Sequence, residues 1–254
     1  MFENIASHTI YSPGLPGRPV VLDLGAHRAE FAREMRTRYG ATCHLVEANP
    51  VLADALRHEG WSSVLERAVA DYDGLIAFNI AKNDTGSSIL PLAVANEWNL
   101  VLAETRQVRA STIESLITDV GAQRIDLLKM DIEGAEVAAL RTISSSALRS
   151  VGQITVEFHS APIFGFGLER EVEEVVDLMR RHDFVCLDFS GGSRLDVLFI
   201  NRTVHEIGWG QAKFWEIRQS PPRWLLSTWA TLPRSVRDVA RRALDAITAS
   251  RSGL

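Results

Sequence analysis

The stretch VVLDLGAHRAEFAREMRTRYGATCHLVEANP, residues 20–50, is where the fold can be read. Val20–Leu24 is a short apolar run that carries Asp23 near its end and breaks at Gly25. A helical stretch, Ala29–Tyr39, follows, and Cys43–Glu47 forms a second apolar run that ends on a carboxylate. Strand, tight turn, helix and strand in this order make a unit whose right-handed crossover leaves the strands parallel, with the helix on one face. Val51–Glu59 reads as the next helix and begins the same move again.

The pattern continues in the C-terminal direction. Ser63–Arg67 reads as a third strand, and Asp73-Gly74 is a turn signal before the strand Leu75–Ile80. Residues 81–108 are less regular, and 83–88 are loop by composition. Ser111 and Glu114 have the spacing of a capping box that opens a helix to about Asp119. Ile125–Met130 is a buried strand, Glu136–Ser144 a helix, Ile154–Phe158 a strand and Glu169–Arg181 an amphipathic helix. Val185–Phe189 and Leu195–Ile200 form a hairpin around Gly191-Gly192, which places one antiparallel strand at the far side of the sheet. Strands alternating with helices make this an α/β chain with a doubly wound, mostly parallel sheet.

In the N-terminal direction, residues 1–19 are a lead-in rich in turn formers. The expected organisation is this lead-in, a domain over 20–202 and a C-terminal extension over 203–254. Four of the six tryptophans (Trp209, Trp215, Trp224 and Trp229) lie in the extension, and from Pro233 a helix is expected. Its stripe of Val236, Val239, Ala240, Ala243, Leu244 and Ile247 is flanked by Arg234, Arg237, Arg241 and Arg242. Such a face packs on the domain or on the mate in a homodimer; the sharper reading is peripheral contact with an anionic membrane or a lipid-linked substrate.

The 254 residues are enough for one large α/β domain, and 46% hydrophobic against 23% charged is ordinary for a globular core. A net charge of −5 argues against a nucleic-acid binder held by phosphate contacts. From Arg202 onward nine Lys and Arg face four Asp and Glu, so about −10 sits on residues 1–201. Cys43 and Cys186 are far apart and form no metal-ligand pattern, so they read as core thiols. No signal peptide and no 18-residue apolar run is legible, which fits a reducing cytoplasm.

Open α/β sheets bind ligands at the carboxyl ends of their strands. The turn Asp23, Gly25, Ala26 and His27 lies at such an end, and Gly25 allows close backbone approach. One glycine does not make the G-x-G-x-x-G cradle that a pyrophosphate needs, so the turn favours a phosphate-free nucleoside. Glu47 stands 24 positions after Asp23, where a carboxylate takes ribose hydroxyls. Ala68, after the third strand, falls near the adenine, and Asp71 is a weaker candidate there.

The densest polar cluster is Lys129, Asp131, Glu133 and Glu136, after the apolar Ile125–Leu128. Alternation puts Lys129 and Asp131 on one face, and the helix dipole favours Glu136 at the start of the next helix. The following strand ends on Glu157 and His159. If the two strands are neighbours, Asp131, Glu133, Glu157 and His159 converge. The alternative is a set of caps and ion pairs around Lys129. Transfer of a group to a hydroxyl needs in-line approach and a base, for which His159 or Asp131 serves. A divalent metal on Asp131, Glu133 and Glu157 would instead lower the hydroxyl's pKa, and such ligands suit magnesium or manganese.

With these residues in hand, the chain resembles the FkbM-type methyltransferases. The matching stretches are VVLDLGAHRAEF (20–31), LVEANP (45–50), AVADYDG (68–74), Ser87-Ser88, IDLLKMDIEGAEVAALR (125–141), ITVEFH (154–159) and LDVLFI (195–200). They cover roughly residues 20–200, and LLKMDIEGAE is the most specific. The resemblance implies the class I, Rossmann-like seven-stranded sheet and S-adenosylmethionine as cofactor. It also implies O-methylation of a small-molecule, glycan or lipid-linked hydroxyl on a sugar, glycolipid or polyketide. It carries cofactor contacts onto Asp23, Gly25, Glu47 and Ala68 and puts Asp131 and Glu133 at the active centre. This chain departs from the family's Asn and second Gly in the first turn, with His27 and Ala29 there. Two readings of other classes stand beside it. A nicotinamide-dependent oxidoreductase is disfavoured because none of Tyr11, Tyr39 and Tyr72 has a lysine four residues on. A non-catalytic nucleoside-binding module would have no turnover to lose on mutation of Asp131 and Glu133. Acceptor recognition is expected in 81–108, in 160–168 with Phe164 and Phe166, and in the tail.

Overall fold

The computed structural model describes residues 1–82, 87–89, 102–159 and 167–219. Phe164, Phe166, Trp224, Trp229 and the helix expected from Pro233 lie outside the described residues.

The central sheet has seven strands. In chain order these are β3 (Val20–Leu24), β4 (Thr42–Glu47), β5 (Val64–Glu66), β9 (Ile125–Met130), β10 (Val151–Val156), β11 (Phe184–Asp188) and β12 (Val197–Asn201). Their spatial order is β11-β12-β10-β9-β3-β4-β5. The run from β10 to β5 is parallel, while β12 is antiparallel to both β10 and β11. The order reverses between β9 and β3, where α/β sheets open a crevice for ligands.

Alternation along the strands feeds two cores. Leu22, Leu24, Val46, Leu128, Met130, Ile154 and Val156 face one side. There they meet α3 (Ile113–Val120), α4 (Glu136–Arg141) and α6 (Glu169–Arg181). In α6 the residues Val172, Val175, Val176 and Met179 are buried, the spacing of one helical stripe. A short helix, α5 (Ser145–Arg149), leads into β10. Val21, Leu45 and Leu127 face the other side, against Phe31, Ala32 and Met35 of α1 (Glu30–Tyr39) and Leu56 of α2 (Pro50–His58). Both faces are covered, as a parallel sheet requires. Cys43 and Cys186 are buried free thiols, and burial pushes each up to about 12.

Three elements differ from the sequence reading. The lead-in contains a hairpin, β1 (Phe2–Ile5) and β2 (His8–Tyr11), whose Ile5 and Ile10 enter the α1-side core. It is bolted to the sheet on its β2 strand. The Thr9 amide and hydroxyl donate to the two Asp196 oxygens at 3.0 and 2.5 Å, and Tyr11 exchanges two bonds with the Gln153 amide. Second, the irregular region contains a strand, β8 (Leu102–Ser111). It pairs with β6 (Ala68–Val69) and β7 (Gly74–Ala81) in a separate three-stranded sheet, so the strand expected at Leu75–Ile80 lies off the central sheet. Third, the cap of α3 is Thr112, which accepts from the Ser115 amide, while the Glu114 carboxylate accepts from the Ser144 hydroxyl. The N-cap therefore lies one residue beyond Ser111, and Glu114 does not close a capping box.

The described start of the extension is a helix, α7 (Trp209–Gln219). With Ile207 it packs Ala212 against Val185, Leu187, Leu198 and Ile200. Among the described residues no helix is long and apolar enough to cross a membrane.

Candidate active site

A cleft of about 170 Å³ opens at the carboxyl ends of β3 and β4, beside the reversal point. Gly25, His27, Glu47, Ala48, Arg67 and Ala68 line it, with Leu52, Val69, Phe78 and Ile89 as apolar wall and Asp131, Ile132 and Glu133 at its inner end. Gly25, His27, Glu47, Ala68 and Asp131 of the sequence candidates therefore share one cavity. Asp23 and Ala26 are buried beside it and do not line it.

The turn after β3 is held from several sides. The amides of Gly25 and Ala26 both donate to the Val46 carbonyl at 3.0 Å. The Lys129 ammonium is buried, donates to the Gly25 carbonyl at 2.7 Å and lies 3.3 Å from Asp23. Burial pushes the Asp23 carboxyl up, an effect that the lysine counters. Gly25 sits at φ +74°, and a Cβ there would come 1.8 Å from the Asp131 carbonyl oxygen. The glycine is required by the crossing of two chain segments as much as by ligand approach. His27 and Ala29, the two departures from the family turn, are also left-handed, at φ 48° and 57°. Asn and Gly adopt that conformation at lower cost.

Glu47 is buried and closes the turn. One carboxylate oxygen accepts the His27 amide at 2.7 Å, and the other accepts the Asn49 amide at 2.8 Å. Burial raises its carboxyl above the ordinary range, and the two amides oppose that. Each oxygen keeps a lone pair for a further donor. His27 Nε2 and Arg67 Nε are buried and have no hydrogen-bond partner among the described residues. Two lining side chains thus carry donors or acceptors that a bound molecule can satisfy.

The second part of the site lies across the β9–β10 edge. These strands are neighbours, with Met130 opposite Val156, so the residues just beyond them meet. His159 Nε2 stands 3.8 Å from Asp131, 3.5 Å from Glu133 and 3.9 Å from Glu157. Its Nδ1 is 3.0 Å from buried Glu136, whose same oxygen accepts the amides of Ile132 and Gly134 at 3.1 Å. Glu136 therefore ties the loop after β9 to the imidazole. Burial pulls His159 down, but the Glu136 hydrogen bond and the charges of Glu136, Glu133 and Asp131 push it up to about 10. Burial works against ionised Asp131, yet His8, Lys129 and His159 hold its carboxyl below the usual range. Burial and the Asp131 charge raise Glu157. The loop backbone is left-handed at Glu133, φ 57°, and the Ser88 hydroxyl donates to the Glu133 carbonyl at 2.6 Å.

Sequence reasoning missed two members. The sequence puts Glu136 in the polar cluster as a helix-dipole residue, but not as the partner of His159 that the structure shows. His8 sits in the lead-in hairpin, is buried, and has its Nε2 3.9 Å from Asp131. No motif marks it.

Residues 23–186 match the Methyltransferase FkbM domain family. The 31-O-demethyl-FK506 methyltransferase FkbM of Streptomyces tacrolimicus is 26% identical over 76% of this chain and 82% of its own length. A segment making up 32% of the chain is 34% identical to the AMB antimetabolite synthetase AmbE of Pseudomonas aeruginosa, of which the chain spans only 4%. A solved structure, Methyltransferase FkbM from Methylobacillus flagellatus KT, superposes with a TM-score of 0.44 at 13% identity. That match covers 72% of this chain and 44% of the other.

Proposed function

Since the chain belongs to the FkbM methyltransferase domain family, we propose that it is an S-adenosylmethionine-dependent O-methyltransferase. The acceptor in this reading is a hydroxyl of a sugar, glycolipid or polyketide-type molecule. The observation that carries it is a shared boundary: Asp131 and Glu133 belong both to the cleft and to the carboxylate–histidine cluster. A nucleoside bound in the first would have its far end at the second. The relative from Streptomyces tacrolimicus, a 31-O-demethyl-FK506 methyltransferase by name, supports a hydroxyl acceptor.

The residues fit the cofactor. Glu47 suits ribose hydroxyls, Ala68 with the apolar wall suits an adenine, and the orphaned nitrogens of His27 and Arg67 suit polar groups. The acidic character around Asp131 suits a cationic sulfonium. When bound, S-adenosylmethionine supplies a methyl group whose C–S electron pair stays with sulfur as the acceptor oxygen forms the C–O bond.

This chain's residues then position and polarise. Ionised Asp131 accepts the hydrogen bond of the acceptor hydroxyl and aims its oxygen along the line of attack. His159 already carries a proton at neutral pH, so its part is to hold Asp131, Glu133 and Glu157 together as an imidazolium rather than to act as the base. Lys129 keeps the turn after β3 in place through Gly25 and Asp23. The hydroxyl proton passes to the Asp131 carboxylate that holds it as the C–O bond forms.

The test is transfer of a labelled methyl group to a panel of sugar, glycolipid and polyketide hydroxyls. Asp131→Asn should lower turnover by about 100-fold or more, the scale of a lost polar contact to the reacting group. Equal turnover in wild type and variant would remove Asp131 from this role.

A further inference from the structure

His8 carries no step of the proposed reaction, although it is among the most completely buried polar residues described, 2% exposed. Neither ring nitrogen is within hydrogen-bond reach of a described residue. Nδ1 is sealed off without a partner, and the 3.9 Å from Nε2 to Asp131 Oδ2 exceeds a hydrogen bond. A buried imidazole with both nitrogens unsatisfied is costly unless something else occupies one of them.

Its surroundings say what that is. One ligand atom each from His8, Asp131 and Glu157 lies within 4.8 Å of the other two. The 3.9 Å between His8 Nε2 and Asp131 Oδ2 is too long for a hydrogen bond and leaves room for a cation bonded to both at about 2.1 Å. Asp131 faces His8, Lys129 and His159 at 3.8–3.9 Å, and Glu157 faces His159 at 3.9 Å. Asp131 divides its oxygens, with Oδ2 toward His8 and Oδ1 toward His159, and His159 Nε2 also lies 3.9 Å from Glu157, so the group borders the imidazole. The Lys129 ammonium, 3.8 Å from Oδ2, is engaged with Gly25 and Asp23.

The placement of His8 is also firmly determined. The next residue, Thr9, is held by Asp196, Tyr11 is held by Gln153, and the His8 ring packs edge-on against Phe31 at 5.7 Å. A side chain needed only to fill the core would not require an imidazole held against two carboxylates.

We propose that His8, Asp131 and Glu157 form a divalent-cation site, completed by the N-terminal hairpin, on the acceptor side of the cleft. One imidazole with two carboxylates suits a borderline cation such as Mn²⁺ better than Mg²⁺, which prefers oxygen ligands throughout. A cation there puts positive charge next to the point where the acceptor oxygen loses its proton. The role rests on the methyltransferase reading, but the site itself does not.

The experiment is therefore binding of Mn²⁺ alone to the metal-stripped full chain, by calorimetry and electron paramagnetic resonance. His8→Ala and Glu157→Gln are measured in parallel, with S-adenosylhomocysteine binding as a separate control. Wild type should bind one Mn²⁺ and show nitrogen coupling from an imidazole. Each variant should bind at least tenfold more weakly, and His8→Ala should lose the coupling. Glu157→Gln removes no observed hydrogen bond, so it tests the site even if His8→Ala fails to fold. Failure of wild type to bind millimolar Mn²⁺, or equal binding by wild type and Glu157→Gln, would overturn the proposal. Loss of S-adenosylhomocysteine binding with Mn²⁺ binding intact would instead count against the cofactor reading.

Discussion

Gly25 shows how much one residue decides here. Its missing Cβ leaves room for the Asp131 carbonyl, and its positive φ is one that L side chains rarely adopt. Gly25→Ala should cost about 3 kcal/mol or more through clash and strain, a Tm fall of roughly 6–12 °C for a chain of this size. A thermal melt within 2 °C of wild type would show that the crossing relaxes freely. His159 sets a pH dependence. Its folded-state value of about 10 lies above the ordinary value near 6.5, so folding favours the protonated ring. That stabilisation is complete below about pH 6.5 and is lost as pH rises through about 10. Melting in metal-free buffer should therefore show a Tm decline between pH 7 and 10.5, and the decline should be smaller in His159→Gln. Identical pH profiles would mean that the imidazolium is not held. Asp131, Glu133, Glu157 and His159 were legible in the sequence because strand alternation and the ends of two apolar runs define where side chains emerge. His8 was not, since nothing local distinguishes a histidine in a polar lead-in from any other.

Elements whose pattern comes from one buried face were readable, and those with weak patterns were not. The helix Glu169–Arg181 has a clean apolar stripe, and its bounds match the reading. In β8, Ala103 through Gln107 are exposed on both faces, and only Val108, Ala110 and Ser111 at its end are buried, so no period of two exists to be read. The β1–β2 hairpin lacks the Asn-Gly or Asp-Gly of a two-residue turn, because Ala6 and Ser7 take φ 44° and 70° instead. Left-handed backbone costs a non-glycine residue about 1 kcal/mol or somewhat more. Replacing Ala6-Ser7 with Asn-Gly should therefore stabilise the fold by about 1–2 kcal/mol, raising Tm by roughly 2–8 °C. A lower Tm would show that the turn is not the tight hairpin described.

At the scale of the molecule, a sheet covered on both faces leaves its carboxyl edge as the place where polar side chains from different elements meet. Asp23, Glu47, Asp131, Glu133, Glu136 and Glu157 gather near that edge, and Lys129 is the buried lysine among them. This accounts for part of the negative charge that the first 201 residues carry, and it suits a cationic ligand. The doubly wound architecture followed from the repeat of strand and helix alone, whereas the hairpin's contribution to the site depends on long-range contacts such as Thr9 to Asp196. In the proposed function, the cleft beside Glu47 holds the nucleoside of S-adenosylmethionine. Calorimetric titration of the folded chain with S-adenosylhomocysteine, alongside Glu47→Ala, tests it most directly. Micromolar binding that the substitution weakens at least tenfold is expected. No binding by a demonstrably folded wild type, or equal binding by both proteins, would contradict it.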